Sequence, residues 1–214
     1  METTDFNELL QKPLKVLEKS CPDACFKRIA EELINNYCIN CDGKEFYLAE
    51  IEFYYYQHNS KGILKEPWNM VTYARTGKDA GELFFHLSGV DICFDSSYEN
   101  GSAQFGGILI RSVIDEENKL VTGPLNCKDL FLNTCSNRMP ILERIKKRIG
   151  HKNNCLSTRR LLGKKDMAEN IDDSFNLCFY DGNIEDWNTI TERYDKKTNL
   201  IKRIQKKYEI NRPY

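Results

Sequence analysis

Between Phe26 and Tyr37 the apolar residues Phe26, Ile29, Ala30, Leu33, Ile34 and Tyr37 recur at steps of three and four. That period lays an apolar stripe along one face of a helix, and it predicts an amphipathic helix over residues 25–38. Ser20-Cys21-Pro22-Asp23 ahead of it supplies capping chemistry and a proline suited to a first turn. Asn40-Cys41-Asp42-Gly43 reads as a turn. The period then changes. Phe46, Leu48, Ile51, Phe53 and Tyr55 mark an aromatic, β-prone run over residues 44–57. Three more strand-like runs cover residues 82–87, 90–94 and 107–113. Ser88-Gly89 punctuates the first two, and Asn100-Gly101 and Gly106-Gly107 flank the loop before the third. Gly123-Pro124 opens a candidate helix through NCKDLFLN, and FNLCFY within residues 170–181 is a last strand-like run.

Residues 58–78 are polar, contain Gly62, Pro67 and Gly77, and read as a long loop, a feature that in compact domains often carries function. Residues 139–149 read as a basic helix or turn with Ile141, Leu142, Ile145 and Ile149 toward the core. From 186 to 207, Trp187, Ile190, Tyr194, Ile201, Ile204 and Tyr208 are spaced like a helix in a charged tail. No internal repeat is present. The pattern predicts an α+β single domain over residues 1–214: a mainly antiparallel curved sheet or partly closed barrel with flanking helices.

A chain of 214 residues with 41% hydrophobic content can bury a sizeable core without metals or disulfides. Its net charge of −1 argues against a simple basic nucleic-acid binder. The distribution alters that. From Arg138 to Lys165 there are ten Lys/Arg and one acid, Glu143, a charge of +9; the rest of the chain carries 21 − 31 = −10. A phosphate-contacting face and a solvated helix both fit such a stretch, and Arg159, Arg160, Lys164 and Lys165 are its candidate backbone contacts.

No apolar run is long enough for a membrane helix, and METTDFNELLQKPLKVLEKS lacks the layout of a signal peptide. The nine cysteines therefore read as reduced thiols of a cytoplasmic protein. Cys21/Cys25 and Cys38/Cys41 stand in the order of a four-thiolate zinc site. The first spacing is one residue too long and Cys38 sits in a helix-like apolar stretch, so no metal is expected.

Phosphate-binding loops, HExxH and GxSxG are absent. What remains is acidic. Glu50 and Glu52 are two apart and share one face of a strand. Glu52 lies between Ile51 and Phe53 and precedes Tyr54-Tyr55-Tyr56. A carboxylate among aromatics tends toward a raised pKa and can take a proton from water, while the aromatics can stack a planar ligand. Arg111, in the apolar run ILIRSV, needs an anion, and a glutamate is the obvious partner. A buried Glu–Arg pair tying two strands together explains the same residues.

These residues also carry a family resemblance. LAEIEFYY (48–55) resembles the V-E-T-E-A-Y strand of alkyladenine (3-methyladenine) DNA glycosylases of the mammalian type, with Ala49 for the valine and Glu50, Glu52 and Tyr54 matching. Read back from Gly89, ELFFHLSGVDICFD (82–95) resembles that family's T-L-Y-V-Y-I-I-Y-G-M-Y-F-C-M-N without a gap. GILIRSV (107–113) is similar to V-L-L-R-A-L, and GPLNCKDLF (123–131) to G-P-G-K-L-C-Q-A-L. FKRIAEELI lies where the family has an L-A-R-x-L-L-G helix. The resemblance is clearest over residues 24–135; residues 136–214 form a basic, divergent extension.

The resemblance implies a mixed fold around an antiparallel sheet. It also implies a glycosylase that flips a damaged purine out of DNA and hydrolyses its N-glycosidic bond with one activated water, without metal or cofactor. On it, Glu52 falls on the catalytic glutamate that activates the water and Arg111 on the arginine holding glutamate and water. Tyr54 and Phe85 fall on aromatics that stack the flipped base. The family's duplex-wedging tyrosine is here Ser88, and its guanine-excluding asparagine is here Asp95. Its base-stacking histidine follows the tyrosine by nine residues, whereas His58 follows Tyr54 by four. The implied partner is DNA or a nucleobase-containing ligand, bound by a monomer away from membranes. The alternative is a nucleobase- or nucleic-acid-binding member of the same fold that does no chemistry.

Overall fold

A computed structural model describes residues 22–58, 79–94, 97–99, 102–145, 155–159, 176–181 and 183–184; near several element ends, residues 54–58 among them, the description is of the backbone alone. The chain divides into two compact units, Met1–Asp181 and Gly182–Tyr214, and every element below belongs to the first. That unit is α+β: a curled antiparallel half-barrel sheet with two helices among the described residues.

The apolar stripe forms helix α1 (Pro22–Asn36), which starts on a proline with no N–H to satisfy and buries Phe26, Ile29, Ala30, Leu33 and Ile34. Each of the four larger side chains removed from water contributes about 2 kcal/mol. The helix stops sooner than its periodicity predicts. Tyr37 and Cys38 begin strand β1 (Tyr37–Cys41), because Cys38, Ile39 and Cys41 bury themselves in the sheet. Asp42 and Gly43 then take positive φ values of 51° and 93°, the geometry of a two-residue hairpin turn, and deliver the chain into β2 (Lys44–His58).

Strand β2 and strand β6 (Ser102–Asp115) form the central ladder, from Phe46↔Asp115 to His58↔Ala103. Along the other edge of β2, β1 pairs from Cys41↔Lys44 to Cys38↔Tyr47, and β10 (Asn176–Asp181) follows from Tyr180↔Glu50 to Cys178↔Glu52. The outer edge of β6 takes β4 (Gly89–Cys93), β5 (Ser97–Glu99) and β7 (Leu120–Thr122). Strand β3 (Leu83–His86) flanks β4, β8 (Ile141–Arg144) flanks β1, and β9 (Cys155–Arg159) flanks β10. Helix α1 packs on β1, β2, β9 and β10, and α2 (Pro124–Thr134) on β4, β6 and β7. Phe53 centres the core on the α1 side, its ring 4.8 Å from Phe26, 5.5 Å from Phe179 and 6.2 Å from Phe94.

Two sequence expectations are corrected. Gly106-Gly107 lies inside β6, not in a loop before it: a Cβ on Gly106 would stand 2.0 Å from the Phe94 ring, so the glycine makes room for that ring. The basic segment is a strand where it is described. Ile141 is 55% exposed, Leu142 packs toward the core, and buried Ile145 donates its N–H to the Asn36 carbonyl. Pairing along the free edge of β1, from Asn40↔Ile141 to Tyr37↔Arg144, holds these residues as a strand. Of the loop expected over residues 58–78, His58 belongs to β2, and residues 59–78, like the tail over 186–207, lie outside the described residues.

Candidate active site

One register row crosses six strands: Phe84 on β3, Asp91 on β4, Leu109 on β6, Glu52 on β2, Cys178 on β10 and Thr158 on β9. Residues directly opposite one another share a sheet face, so Phe84, Asp91, Leu109 and Glu52 lie on one side. The neighbours of Glu52 along β2, Ile51 and Phe53, are buried on the other side with α1. Glu52 is thus a carboxylate 2% exposed, on the face turned away from the main aromatic cluster.

Beside this row the ladder is irregular. Leu48 pairs with Val113, Glu50 with Ser112, and Ile51 with Ile110, which leaves Ala49 on β2 and Arg111 on β6 without register partners. Two offsetting bulges therefore face each other. Bulging aims Arg111 and Ser112 at the same glutamate. Arg111 Nε donates to Glu50 Oε1 at 3.1 Å and Ser112 Oγ to Glu50 Oε2 at 2.9 Å, while Arg111 Nη1 donates to Glu52 Oε2. One guanidinium bridges two carboxylates, with side-chain exposures of 18% for Arg111 and Glu50 and 3% for Glu52. Ionised, the three groups sum to one negative charge. The β7–α2 connection braces the bulge from outside: Gly123 N–H, at φ 97°, donates to the Arg111 carbonyl at 2.7 Å, and α2 starts at Pro124.

The structure brings together Glu52 and Arg111, the two residues proposed from sequence as catalytic. Phe85 is elsewhere. It pairs with Val90, packs against the core, and by strand alternation faces away from Glu52; Phe84 occupies the Glu52 row instead. Ser88 is exposed in the two-residue β3–β4 turn beside Leu87, which is 89% exposed. Lys128 Nζ, from α2, donates to the His86 and Leu87 carbonyls at 3.3 Å and fixes that turn. Tyr54 stands opposite Gly107, and His58 ends β2; their side chains lie outside the described set. So do Asp95, Arg160, Lys164 and Lys165. Arg159 closes β9, opposite Asn176, so the basic stretch returns to the sheet two strands from Glu52.

Sequence reasoning missed Ser112, Phe84, His86 and Asp91 as neighbours of this face. Phe84, His86 and Asp91 share a face because β3 and β4 alternate about the Leu87-Ser88 turn, a pattern local to the sequence; the bulge that recruits Ser112 is not local.

Six described cysteines are free thiols. Burial pushes Cys38, Cys127 and Cys155 up to about 12. Cys41 is raised further, by burial first and then by its hydrogen bond with Cys135. Among the described residues no three His, Cys, Asp or Glu side chains converge as metal ligands would. No described helix is long and apolar enough to cross a membrane. The chain matches no family model, no curated protein and no solved structure.

Proposed function

We propose that the Glu52 face is the hydrolytic site of a DNA-glycosylase-like enzyme, one that cleaves the N-glycosidic bond of a flipped, alkylated or otherwise modified purine. The carrying observation is a nearly sealed glutamate gripped by an arginine that a bulge has turned toward it. Glu52 takes a proton from a water, and Arg111 orients the carboxylate. The glycosidic bond breaks with its electron pair moving to the base, and the water oxygen bonds to the sugar carbon. That carbon develops positive charge, which the net negative charge of Glu50, Glu52 and Arg111 stabilises. No metal or other cofactor takes part. Arg159, Arg160, Lys164 and Lys165 contact phosphates, and the reduced cysteines fit a cytoplasmic monomer.

A second reading is a nucleobase- or nucleic-acid-binding module in which Glu52 and Arg111 tie β2 to β6. Direct contact between the two side chains favours it, because such a tie needs no substrate. Chromatographic detection of base released from alkylated duplex, alkylated single strands and modified nucleosides separates the two. Release that depends on Glu52 supports the hydrolase. Salt-dependent binding without release supports the module.

A further inference from the structure

The Glu52 face carries a second polar pair. His86 Nε2 lies 3.3 Å from Asp91 Oδ1, at ion-pair distance though outside hydrogen-bond alignment, and both atoms are shut off from solvent. The side chains are 12% and 17% exposed. The Phe84 ring stacks on the imidazole at 5.8 Å and 18°. Asp91 sits in the Glu52 row, two strands away across Leu109, a backbone separation of about 10 Å. Beside it is Gly107, where an added Cβ would stand 3.3 Å from Asp91 Oδ2.

The hydrogen-bonding states follow from geometry. Ser88 N–H donates to His86 Nδ1 at 3.2 Å, so Nδ1 is an acceptor and a neutral imidazole carries its proton on Nε2. That nitrogen lies 3.3 Å from Asp91 Oδ1 without a hydrogen bond between them. Asp91 Oδ2 is turned over Gly107, where no side chain intervenes on β6. An ionised carboxylate only accepts hydrogen bonds, so whatever it selects must donate.

We propose that Asp91 is a specificity-determining residue of the Glu52 site, held by His86 as an acceptor for a nucleobase that presents an amino or ring N–H donor at the end remote from the sugar. This rests on the nucleobase reading above. Glu52 acts at the glycosidic bond and Asp91 reads the far edge, with Leu109 between them in the row. His86 is a positioning residue: it orients Asp91 and, through Nδ1, the turn at Ser88.

The test compares two single-stranded oligonucleotides. One carries N7-methylguanine, whose far edge has an amino group and a ring N–H. The other carries N7-methylpurine, which has neither. In Asp91→Leu both acceptor oxygens are lost at similar side-chain reach, so the far-edge donor of the base is left unpaired. The expected result is a loss of kcat/KM of about ten- to a hundredfold on N7-methylguanine, with a change under roughly threefold on N7-methylpurine. Retained turnover of the second substrate reports a folded variant. Equal loss on both substrates, or none on either, overturns the role of Asp91 and leaves the hydrolase reading intact. If the wild type releases neither base faster than Glu52→Gln does, the hydrolase reading falls and this inference falls with it.

Discussion

Arg111 and Glu52 are bonded side chain to side chain although they are not register partners: Leu109 stands opposite Glu52, and Arg111 reaches across from a bulge two residues on. Removing the guanidinium takes the ionic partner from an almost fully buried carboxylate. Arg111→Met should cost about 3 kcal/mol, the low end for a broken buried pair because the guanidinium is partly exposed. For a chain of this length that lowers Tm by roughly 6–12 °C. Adding Glu52→Gln to that variant should recover part of the loss. Calorimetry on the two single variants and the double variant measures the coupling.

Gly106→Ala forces a methyl into the Phe94 ring. Overpacking of this kind costs about 2 kcal/mol or more, or roughly 4–8 °C in Tm. Combining Gly106→Ala with Phe94→Leu should restore stability relative to the sum of the two single changes. Thermal melts of the three variants check this.

Cys38 and Cys127 should resist alkylation in the native protein. With thiols pushed up to about 12 by burial, the thiolate is scarce at pH 8. Mass mapping after iodoacetamide should find these sites unmodified until denaturant is added.

Asp42 gives a pH signature. Its carboxylate accepts the Ser136 and Asn137 backbone N–H groups at 2.7 and 2.8 Å, which hold it below the ordinary carboxylate range. A depressed folded-state pKa contributes stability above the unfolded value, and that contribution is lost as pH falls through the folded one. Asp42→Asn should therefore lower Tm at pH 7. The difference from wild type should close as pH drops below the usual aspartate range. A melt series from pH 7 downward reads this directly.

Much of the fold was legible from residue pattern. The stripe from Phe26 to Ile34 marked α1, the aromatic run marked β2, and Gly123-Pro124 marked the start of α2. What failed depended on tertiary partners that the local pattern does not encode. Tyr37 and Cys38 continue the apolar helical period, yet they open a strand because β2 and β8 flank them. Gly106-Gly107 reads as punctuation because nothing local shows that the Phe94 ring packs over Gly106. At the site, Glu52 and Arg111 stood out as charges in apolar runs. Phe85 did not survive as their neighbour, because one step along β3 reverses the face. The pairing of Glu50 with Ser112 depends on a bulge, which leaves no compositional trace.

Single-turnover release of N7-methylguanine from an alkylated single strand, by wild type and by Glu52→Gln, tests the central claim most directly. The account predicts release by the wild type and a loss of about a hundredfold or more in the variant, whose amide takes no proton from water. Equal rates in the two proteins, both at the spontaneous level, would contradict it.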